Sequence, residues 1–259
     1  MRRYRQFCPL ARSLDLLGDR WSLLVVRELA LRPCRYTDLR DGLPGIATNL
    51  LAERLRELQE AGIVRAEHAP PPVATTLYSL TDWGAQLRPI LVALGRWGLP
   101  LMAAGRGADD FRSRWVVLGV GALFQGLDLS DLEPVTILLA PAGGGEPVRI
   151  TASPAGVSAE VVPPGATADV VITTDPDTAV GLLNGQLSPF ALQAPAGAGV
   201  RGSEDALRRL ERLAARAREG LPGLPGAPPE GPAQGPAQGP AGPPPASSRR
   251  GRTGAPAPG

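Results

Sequence analysis

The sequence predicts an α+β protein made of two folded parts and a tail. Between residues 9 and 98 apolar residues recur at three- and four-residue spacing, which is typical of helices, and β-prone runs occur only after Gly62. From residue 135 to 174 the apolar residues alternate instead, which is typical of strands. Beyond residue 221 Gly, Pro, Ala and Gln dominate. We therefore expect domains over 1–105 and 106–220 and a tail over 221–259.

Charge is distributed unevenly along the chain. All 27 basic residues are Arg; residues 1–100 hold 14 of them against 10 acidic residues, whereas residues 101–220 hold 10 Arg against 14 acidic residues. A basic balance favours a polyanionic partner such as nucleic acid. The first third of the chain is therefore the part for which a nucleic-acid partner is expected.

Residues suited to metal binding or catalysis are scarce. Cys8 and Cys34 have no C-x-x-C spacing, and the single His is His68, so neither a metal site nor a Ser-His-Asp set is expected. We expect no cofactor and no enzymatic activity. No apolar run reaches the roughly 18 residues of a membrane span, and the N-terminus has no signal-peptide core. The sequence thus predicts a cytoplasmic protein without a membrane partner.

Three helices are predicted before the first strong turn signal. Pro9 opens the first, and Gly18 closes it. The second follows Asp19, a candidate N-cap, and ends at Pro33. The third is a short capped helix over 37–43, which would brace the helix that follows.

The stretch from Gly42 to Gly62 organises the N-terminal domain. Pro44-Gly45 is a turn signal, and Gly62 stands where a helix needs a left-handed residue to stop. Between them lies a helix with two different sides. The apolar stripe consists of Leu51, Leu55 and Leu58, and the opposite side holds Thr48, Asn49, Ala52, Glu53 and Arg56.

A hairpin and a long helix are predicted after Gly62. β-prone runs over 63–67 and 76–80 flank Pro70-Pro71-Pro72, and Thr81 then opens a helix that runs to Trp97. Helix, turn, helix, hairpin is the order of a winged helix-turn-helix, whose second helix enters the DNA major groove. The alternative is that the helix over 48–60 is a surface helix of some other small helical domain.

The residues of this domain resemble a known family. The series CPLARSLDLLGDRWSLLVVREL, RYTDL, LPGI, LxxRLRELxEAGIV and YSLTDWG spans about residues 7–100 in unbroken order. It resembles the HxlR-type (MarR-like) winged-helix transcriptional regulators. That resemblance implies a homodimer, formed through the first and last helices, that binds an inverted-repeat operator in double-stranded DNA.

Five polar residues are candidates for DNA binding: Thr48, Asn49, Arg54, Arg56 and Arg65. Asn pairs bidentately with adenine and Arg with guanine, so Thr48, Asn49 and Arg56 are candidates for base or phosphate contacts. Arg54 and Arg65 are candidates for phosphate neutralisation, which positions a protein on DNA without reading its sequence. The alternative for each Arg is a solvated helix face, paired with Glu53, Glu57 or Glu60.

Cys8 is a candidate redox sensor. Some relatives with an N-terminal Cys before Pro sense electrophiles or oxidants through it. A helix N-terminus near Arg5 and Arg12 offers the positive surroundings that favour a reactive thiolate. The alternative is an inert structural cysteine.

The second domain is predicted to combine a sheet with helices. A helix over 109–125 comes first. Four runs of alternating apolar residues with short turns then predict a mostly antiparallel sheet: 135–139, 148–152, 157–161 and 168–174. Helical segments follow over 176–184, 189–192 and 203–219.

This domain also resembles a known family. The stretch ADVVITTDPDTAVGLLNGQLSPFALQ, followed by GVRGSEDALRRL, resembles sterol-carrier-protein-type domains, and the resemblance spans about residues 110–218. It implies helices packed on a sheet around an apolar tunnel for fatty acyl or sterol-like ligands. Candidate pocket residues are Phe111, Trp115, Phe124, Leu183 and Phe190; the alternative for each is an ordinary place in the core.

The function predicted from the sequence is that of a sequence-specific, homodimeric transcriptional regulator, whose DNA binding responds to a small hydrophobic effector in the C-terminal domain. The alternative is a lipid or hydrophobe carrier in which the winged helix mainly dimerises; a Cys8 switch could coexist with the regulator. The tail contains the repeat GPAQGPAQGP at 231–240 and has too little apolar surface to fold, so we expect it to be disordered.

Overall fold

The computed structural model describes residues 3–70, 74–102, 105–194 and 198–221. The predictions for the tail beyond Leu221 and for Pro71 and Pro72 in the wing lie outside these residues. The described residues between 3 and 221 belong to one compact unit, which contains two separate hydrophobic cores, one on each side of residue 105. Within the described ranges no helix is long and apolar enough to cross a membrane.

The N-terminal part has the predicted order of helix, turn, helix and hairpin. Its elements are α1 (Pro9–Leu17), α2 (Ser22–Leu31), β1 (Cys34–Arg35), α3 (Tyr36–Gly42), α4 (Thr48–Glu60), β2 (Val64–Ala69), β3 (Thr75–Leu80), α5 (Asp82–Ala85) and α6 (Arg88–Gly98). The three strands form an antiparallel sheet in the order β1-β3-β2. The hairpin of β2 and β3 is the wing, and its register pairs Val64 with Leu80 at the base.

Helix α4 forms and ends as its sequence predicts. Leu51, Leu55 and Leu58 are each at most 2% exposed, within the N-terminal core. Gly62 has a φ of 70°, and its amide donates to the Gln59 carbonyl while the Ile63 amide donates to the Leu58 carbonyl. These two bonds satisfy carbonyls that the end of the helix leaves free. A side chain at Gly62 would strain this turn, since only Gly adopts that φ at no cost.

Two expectations for this domain are wrong. Asp19 does not cap α2, because Trp21 occupies the N-cap position with a φ of 81°, and the Asp19 carboxylate instead accepts a hydrogen bond from Arg54. The single helix expected from Thr81 to Trp97 is two helices. Thr81 caps α5 through a hydrogen bond from the Gly84 amide, and α6 starts afresh with Pro89 in its first turn, because proline has no amide hydrogen with which to continue the ladder.

The C-terminal part is a five-stranded sheet with helices. A 3-10 turn over Ser113–Trp115 leads into α7 (Val116–Phe124), followed by β4 (Val135–Pro141), β5 (Val148–Ser153), β6 (Gly156–Val161), β7 (Val170–Thr174), α8 (Pro176–Leu183), a 3-10 turn over Pro189–Leu192, β8 (Gly199–Gly202) and α9 (Glu204–Gly220). The strand order is β6-β5-β4-β7-β8. Of the four pairings between these five strands, that of β4 with β7 is parallel and the other three are antiparallel, so the sheet is mostly antiparallel, as predicted.

Two elements of this domain differ from the prediction. Strand β8 was not expected because it is four residues long, begins and ends with Gly, and buries one side chain, Val200. The first helix begins at Val116 rather than Asp109. Arg112 is extended and donates a hydrogen bond to the Asp41 carbonyl of the N-terminal domain, so this segment spans the domain boundary instead of coiling.

Helices α7, α8 and α9 pack on one face of the sheet. The inward residues Ile137, Ile150 and Ile172 are completely buried and belong to one cluster with residues of all three helices. Burying each such side chain contributes roughly 1.5–3 kcal/mol of transfer free energy. The opposite face carries exposed polar residues such as Thr151 and Ser158.

Helix α6 connects the two domains by packing against α7. The Arg96 guanidinium donates to the carbonyl of Ala122 in α7 over 3.2 Å and to that of Gly220 in α9 over 3.1 Å. It therefore satisfies carbonyls at the ends of two helices, where a positive charge is also favoured by the helix dipole.

Candidate nucleic-acid interface

Three of the predicted DNA-binding residues lie together on the exposed side of α4. Thr48, Asn49 and Arg56 are all exposed, opposite the buried leucine stripe. The Arg56 side chain is 62% exposed and lies 2.7 Å from a Glu60 carboxylate oxygen. An exposed pair of this kind contributes only about 0.3–0.5 kcal/mol, so Arg56 can exchange Glu60 for another acceptor at little cost.

Tyr36 holds the beginning of α4, a role that no sequence pattern marks. Its hydroxyl donates a hydrogen bond to the Thr48 carbonyl over 2.7 Å. Helix α4 is preceded by Ala47, whose methyl group cannot cap, so this bond from α3 orients the turn that carries Thr48 and Asn49. The signal available in the sequence was only a β-prone aromatic residue next to Arg35.

Arg54 does not have the predicted role of a phosphate neutraliser. Its side chain is 8% exposed and is held by three carboxylates: Asp19 at 2.5 Å, Glu57 at 2.7 Å and Glu53 at 3.2 Å. A guanidinium enclosed by three negative charges is neither accessible to a phosphate nor in need of one. The alternative, pairing with neighbouring acids, is the one observed.

Arg65 lies at the base of the wing with an exposed side chain. Its Nε donates to the Ser79 hydroxyl of β3 over 3.1 Å and lies 3.0 Å from the Glu67 carboxylate. Both partners are on the wing itself, so these contacts leave the Arg65 side chain on the surface of β2, the strand that follows α4. His68 is exposed on the same strand.

Four of the five candidate pocket residues of the C-terminal domain lie in its core or against it, and Trp115 does not. Phe124 and Leu183 are buried in its core, and Phe111 and Phe190 pack against that core while partly exposed. Trp115 does not face the core. Its indole N–H donates to Glu28 of α2 over 2.7 Å, so its place in the pocket is corrected to a place at the domain boundary.

The two cysteines have opposite environments. Cys8 is exposed and directly precedes α1. Cys34 is buried, and burial raises the pKa of its thiol to about 11, which leaves almost no nucleophilic thiolate near neutral pH. The described part of the chain contains no group of His, Cys, Asp or Glu side chains that could hold a metal ion.

Comparison with known proteins identifies the N-terminal domain. The profile of a family described as HxlR-like helix-turn-helix matches residues 16–104. An HTH-type transcriptional regulator of Synechocystis, sll1512, is 40% identical over 91 residues, which cover 35% of this chain and 67% of the relative. YvaP, an HTH-type transcriptional regulator of Bacillus subtilis, is 34% identical over 93 residues, which cover 36% of this chain and 86% of YvaP.

The chain belongs to the HxlR-like helix-turn-helix family. Its relatives are HTH-type transcriptional regulators, so the HxlR-like domain is a DNA-binding domain of transcription regulation. Among solved structures, the reduced form of the regulator YodB from Bacillus subtilis is 31% identical, with a TM-score of 0.34, and the match covers 39% of this chain and 99% of that one. The HxlR-like match ends at residue 104, before the C-terminal domain begins.

Proposed function

We propose that this HxlR-like protein is a sequence-specific transcriptional regulator that binds an inverted-repeat operator as a homodimer. The observation that carries the proposal is the exposed side of α4, where Thr48, Asn49 and Arg56 are accessible together, with Arg65 exposed on the adjoining wing. Asn and Arg are the side chains that read adenine and guanine in the major groove, and an exposed Arg beside them suits a phosphate.

The homodimer is supported by apolar surfaces on the first and last helices of the domain. Several large apolar residues are exposed there: Phe7, Leu10 and Leu14 in and before α1, and Ile90, Leu94 and Trp97 along α6. The α6 residues follow each other at four- and three-residue spacing, so they form one stripe. An exposed apolar stripe of this kind marks an interface, and we assign it to a second copy of this chain.

We further propose that a small hydrophobic effector binds within the C-terminal domain and changes DNA affinity. The proposal rests on the resemblance of about residues 110–218 to sterol-carrier-protein-type domains, and the mostly antiparallel sheet with helices on one face agrees with it. Phe111, Phe124, Leu183 and Phe190 are the proposed lining residues. By linkage, an effector that weakens DNA binding must bind less tightly to the DNA complex than to the free protein.

A thiol switch at Cys8 is proposed as a component that can coexist with the effector. Its support is the exposure of Cys8, at the start of a helix that also carries the proposed dimer surface. A modification there would place a new group at the edge of that surface.

The experiment is a selection of duplexes from a randomised pool, followed by fluorescence anisotropy of the full chain on the selected and scrambled duplexes at about 0.15 M salt. We expect a preference of about a thousandfold, the low end for specific binders. Oleate is then titrated into the complex and is expected to change DNA affinity. Absence of any enriched duplex, together with a co-purifying acyl ligand, would overturn the regulator in favour of a hydrophobe carrier.

A further inference from the structure

Glu28 is a carboxylate enclosed where the two domains meet. It lies in α2 of the DNA-binding domain, and its side chain is 1% exposed. A buried charge is tolerated only when it is paired and hydrogen-bonded. Glu28 meets that condition through three residues: Arg27 donates to it over 2.7 Å, Trp115 over 2.7 Å and Arg114 over 2.9 Å.

Two of these three donors belong to the C-terminal domain. Arg114 and Trp115 occupy the 3-10 turn that leads directly into α7. The Trp115 ring also lies under the Arg27 guanidinium, whose carbon is 4.1 Å from the ring centroid, a distance at which the cation and the ring attract each other. Without the C-terminal domain, Arg27 would be the one of these three donors left to the Glu28 carboxylate.

The contacts continue to a second acid, Glu146, on the C-terminal side. Its carboxylate lies 3.2 Å from Arg114 and 3.0 Å from Arg32, which follows the end of α2. The Ser113 hydroxyl donates to the Glu146 backbone carbonyl over 2.6 Å. We define the junction cluster as Arg27, Glu28, Arg32, Arg114, Trp115 and Glu146. Positive and negative groups alternate through it. They join α2 and the residue after it to the C-terminal domain at two places, Glu28 with Arg114 and Arg32 with Glu146.

Helix α3 ends directly on the junction cluster. A Cβ on Gly42, its last residue, would lie 2.6 Å from an Arg114 nitrogen and 2.7 Å from a Glu28 oxygen, so a side chain there would displace both groups. The Gly42 carbonyl accepts from Arg27 over 3.4 Å, and the Asp41 carbonyl accepts from Arg112 over 3.4 Å. Guanidinium groups thus satisfy carbonyls that the helix end leaves free.

Helix α3 in turn connects the junction cluster to α4. At its other end Tyr36 bonds to the Thr48 carbonyl at the start of α4. On the C-terminal side, α7 begins at Val116, immediately after Trp115, and reaches Phe124 in the core. One continuous set of contacts therefore runs from the core of the C-terminal domain to the proposed DNA-reading side.

We infer that Arg112, Arg114 and Trp115 are positioning residues for the recognition helix α4, so that the C-terminal domain sets DNA affinity by holding Glu28 and the end of α3. The inference rests on the proposed function and specifies how the two domains communicate in it. A ligand that displaces α7 would move the turn before it and release α3, whereas a ligand that leaves this turn in place would not act through α3.

The test compares the full wild-type chain with the double variant Arg114→Gln/Trp115→Phe, which removes the guanidinium and the indole donor while keeping a polar side chain at 114 and an aromatic ring at 115. Arg149→Gln is the matched control, because Arg149 pairs with Glu160 across β5 and β6. The first measurement is hydrogen exchange by mass spectrometry without DNA. We expect exchange in α3 and α4 to rise about tenfold in the double variant and to stay unchanged in the control.

Exchange in β4 and β5 reports whether the double variant is folded. If their protection is lost too, the single variant Trp115→Phe, which keeps every ion pair, takes its place and should show a smaller rise in the same two helices. Exchange in α3 and α4 that matches the wild type in the folded variants would overturn the inference.

The second measurement is anisotropy on the selected duplex, where the double variant should bind about tenfold more weakly and the control within about twofold of the wild type. Faster exchange with unchanged affinity would also overturn the assignment as positioning residues. Faster exchange combined with a wild type that selects no duplex would refute the proposed function and leave the coupling between the domains standing. A selective wild type whose double variant matches it in exchange and affinity would refute only the coupling.

Discussion

Arg54 of α4 donates a hydrogen bond over 2.5 Å to Asp19, which lies 35 residues earlier in the loop between α1 and α2. The bond ties the recognition helix to the corner that precedes α2. Two residues further along, Arg56 has a 62% exposed side chain. Two arginines separated by one residue thus face opposite sides of the helix, and we expect opposite consequences when they are replaced.

Replacing Arg54 by Met should destabilise the fold. The variant leaves Glu57, which is almost fully buried, without its cation, and an unsatisfied buried polar group costs about 1–3 kcal/mol of unfolding free energy. Urea unfolding followed by circular dichroism measures the loss. Arg56→Met is the control on the same helix and should change stability by less than about 0.5 kcal/mol. Equal losses in the two variants would contradict the structural role of Arg54.

Replacing Arg56 or Arg65 by Ala should separate sequence reading from phosphate contact. Arg56→Ala is expected to reduce the preference for the selected duplex over a scrambled one by about tenfold, because a specific base contact contributes roughly 1–3 kcal/mol. Arg65→Ala should weaken binding to both duplexes alike and lower the log–log salt slope by about one. Anisotropy over a salt series measures both quantities. An unchanged preference in Arg56→Ala would remove Arg56 from the reading side.

A charge on the α6 stripe should dissociate the proposed dimer. Trp97 is 73% exposed, and in Trp97→Glu a second copy would have to bury a carboxylate without a partner, which is costly. Light scattering after size exclusion should show a dimer for the wild type and a monomer for the variant. Trp83→Glu, an exposed tryptophan of α5, is the control and should remain a dimer. A dimeric Trp97→Glu protein would place the interface elsewhere.

Thiol labelling should distinguish the two cysteines. At pH 7.5 iodoacetamide is expected to modify exposed Cys8 rapidly and to spare Cys34, whose pKa is raised to about 11 by burial, until the protein unfolds. Mass spectrometry of peptides measures the two rates. If Cys8 is also a switch, diamide should alter the DNA affinity of the wild type and leave Cys8→Ser unaffected. An equal diamide response in both proteins would exclude Cys8 as the sensor.

The cap of α8 should give a stability difference that depends on pH. The Asp175 carboxylate accepts hydrogen bonds from the Thr178 hydroxyl and from the amides of Thr178 and Asp177, and these bonds, the Thr178 hydroxyl foremost, lower its pKa. A lowered pKa means that the cap stabilises the fold above the unfolded-state pKa of about 3.9 and stops doing so as the pH falls through the lower folded-state value. Asp175→Ala should therefore cost about 1 kcal/mol near pH 7 and progressively less below about pH 4.

Thermal unfolding at several pH values measures this difference. Asp175→Asn serves as the control, because Asn caps a helix about as well as Asp and does not titrate. Its stability should lie near that of the wild type at pH 7 and change less in acid. A cost of Asp175→Ala that stays constant down to pH 3 would show that the charge of Asp175 contributes nothing.

The backbone of the DNA-binding domain was predictable because its signals are local. The leucine stripe of α4 repeats with the helical period, and Gly62 provides the left-handed turn that ends the helix, so the buried side of the recognition helix and its C-terminal end follow from neighbouring residues. The alternating residues of β4 to β7 predicted four strands for the same reason. Strand β8 was not predicted, because its four residues, which begin and end with Gly, show no alternation. Its position depends on pairing with β7.

The exposed part of the candidate site, Thr48, Asn49 and Arg56, was determined by the sequence itself, since the apolar stripe of one helix decides which residues face away from the core. The tertiary structure alone decided which charged groups are buried and paired with other residues of the chain. Arg54 lies on α4 only two residues before Arg56, yet Asp19 from a distant loop holds it in the interior. Trp115 carries an aromatic ring suited to a core, yet Glu28, 87 residues earlier, holds it at the domain boundary. A buried charge is costly unless it is paired, and its partner can come from any part of the chain that the fold brings close. The periodicity of the sequence does not indicate which residue that partner is.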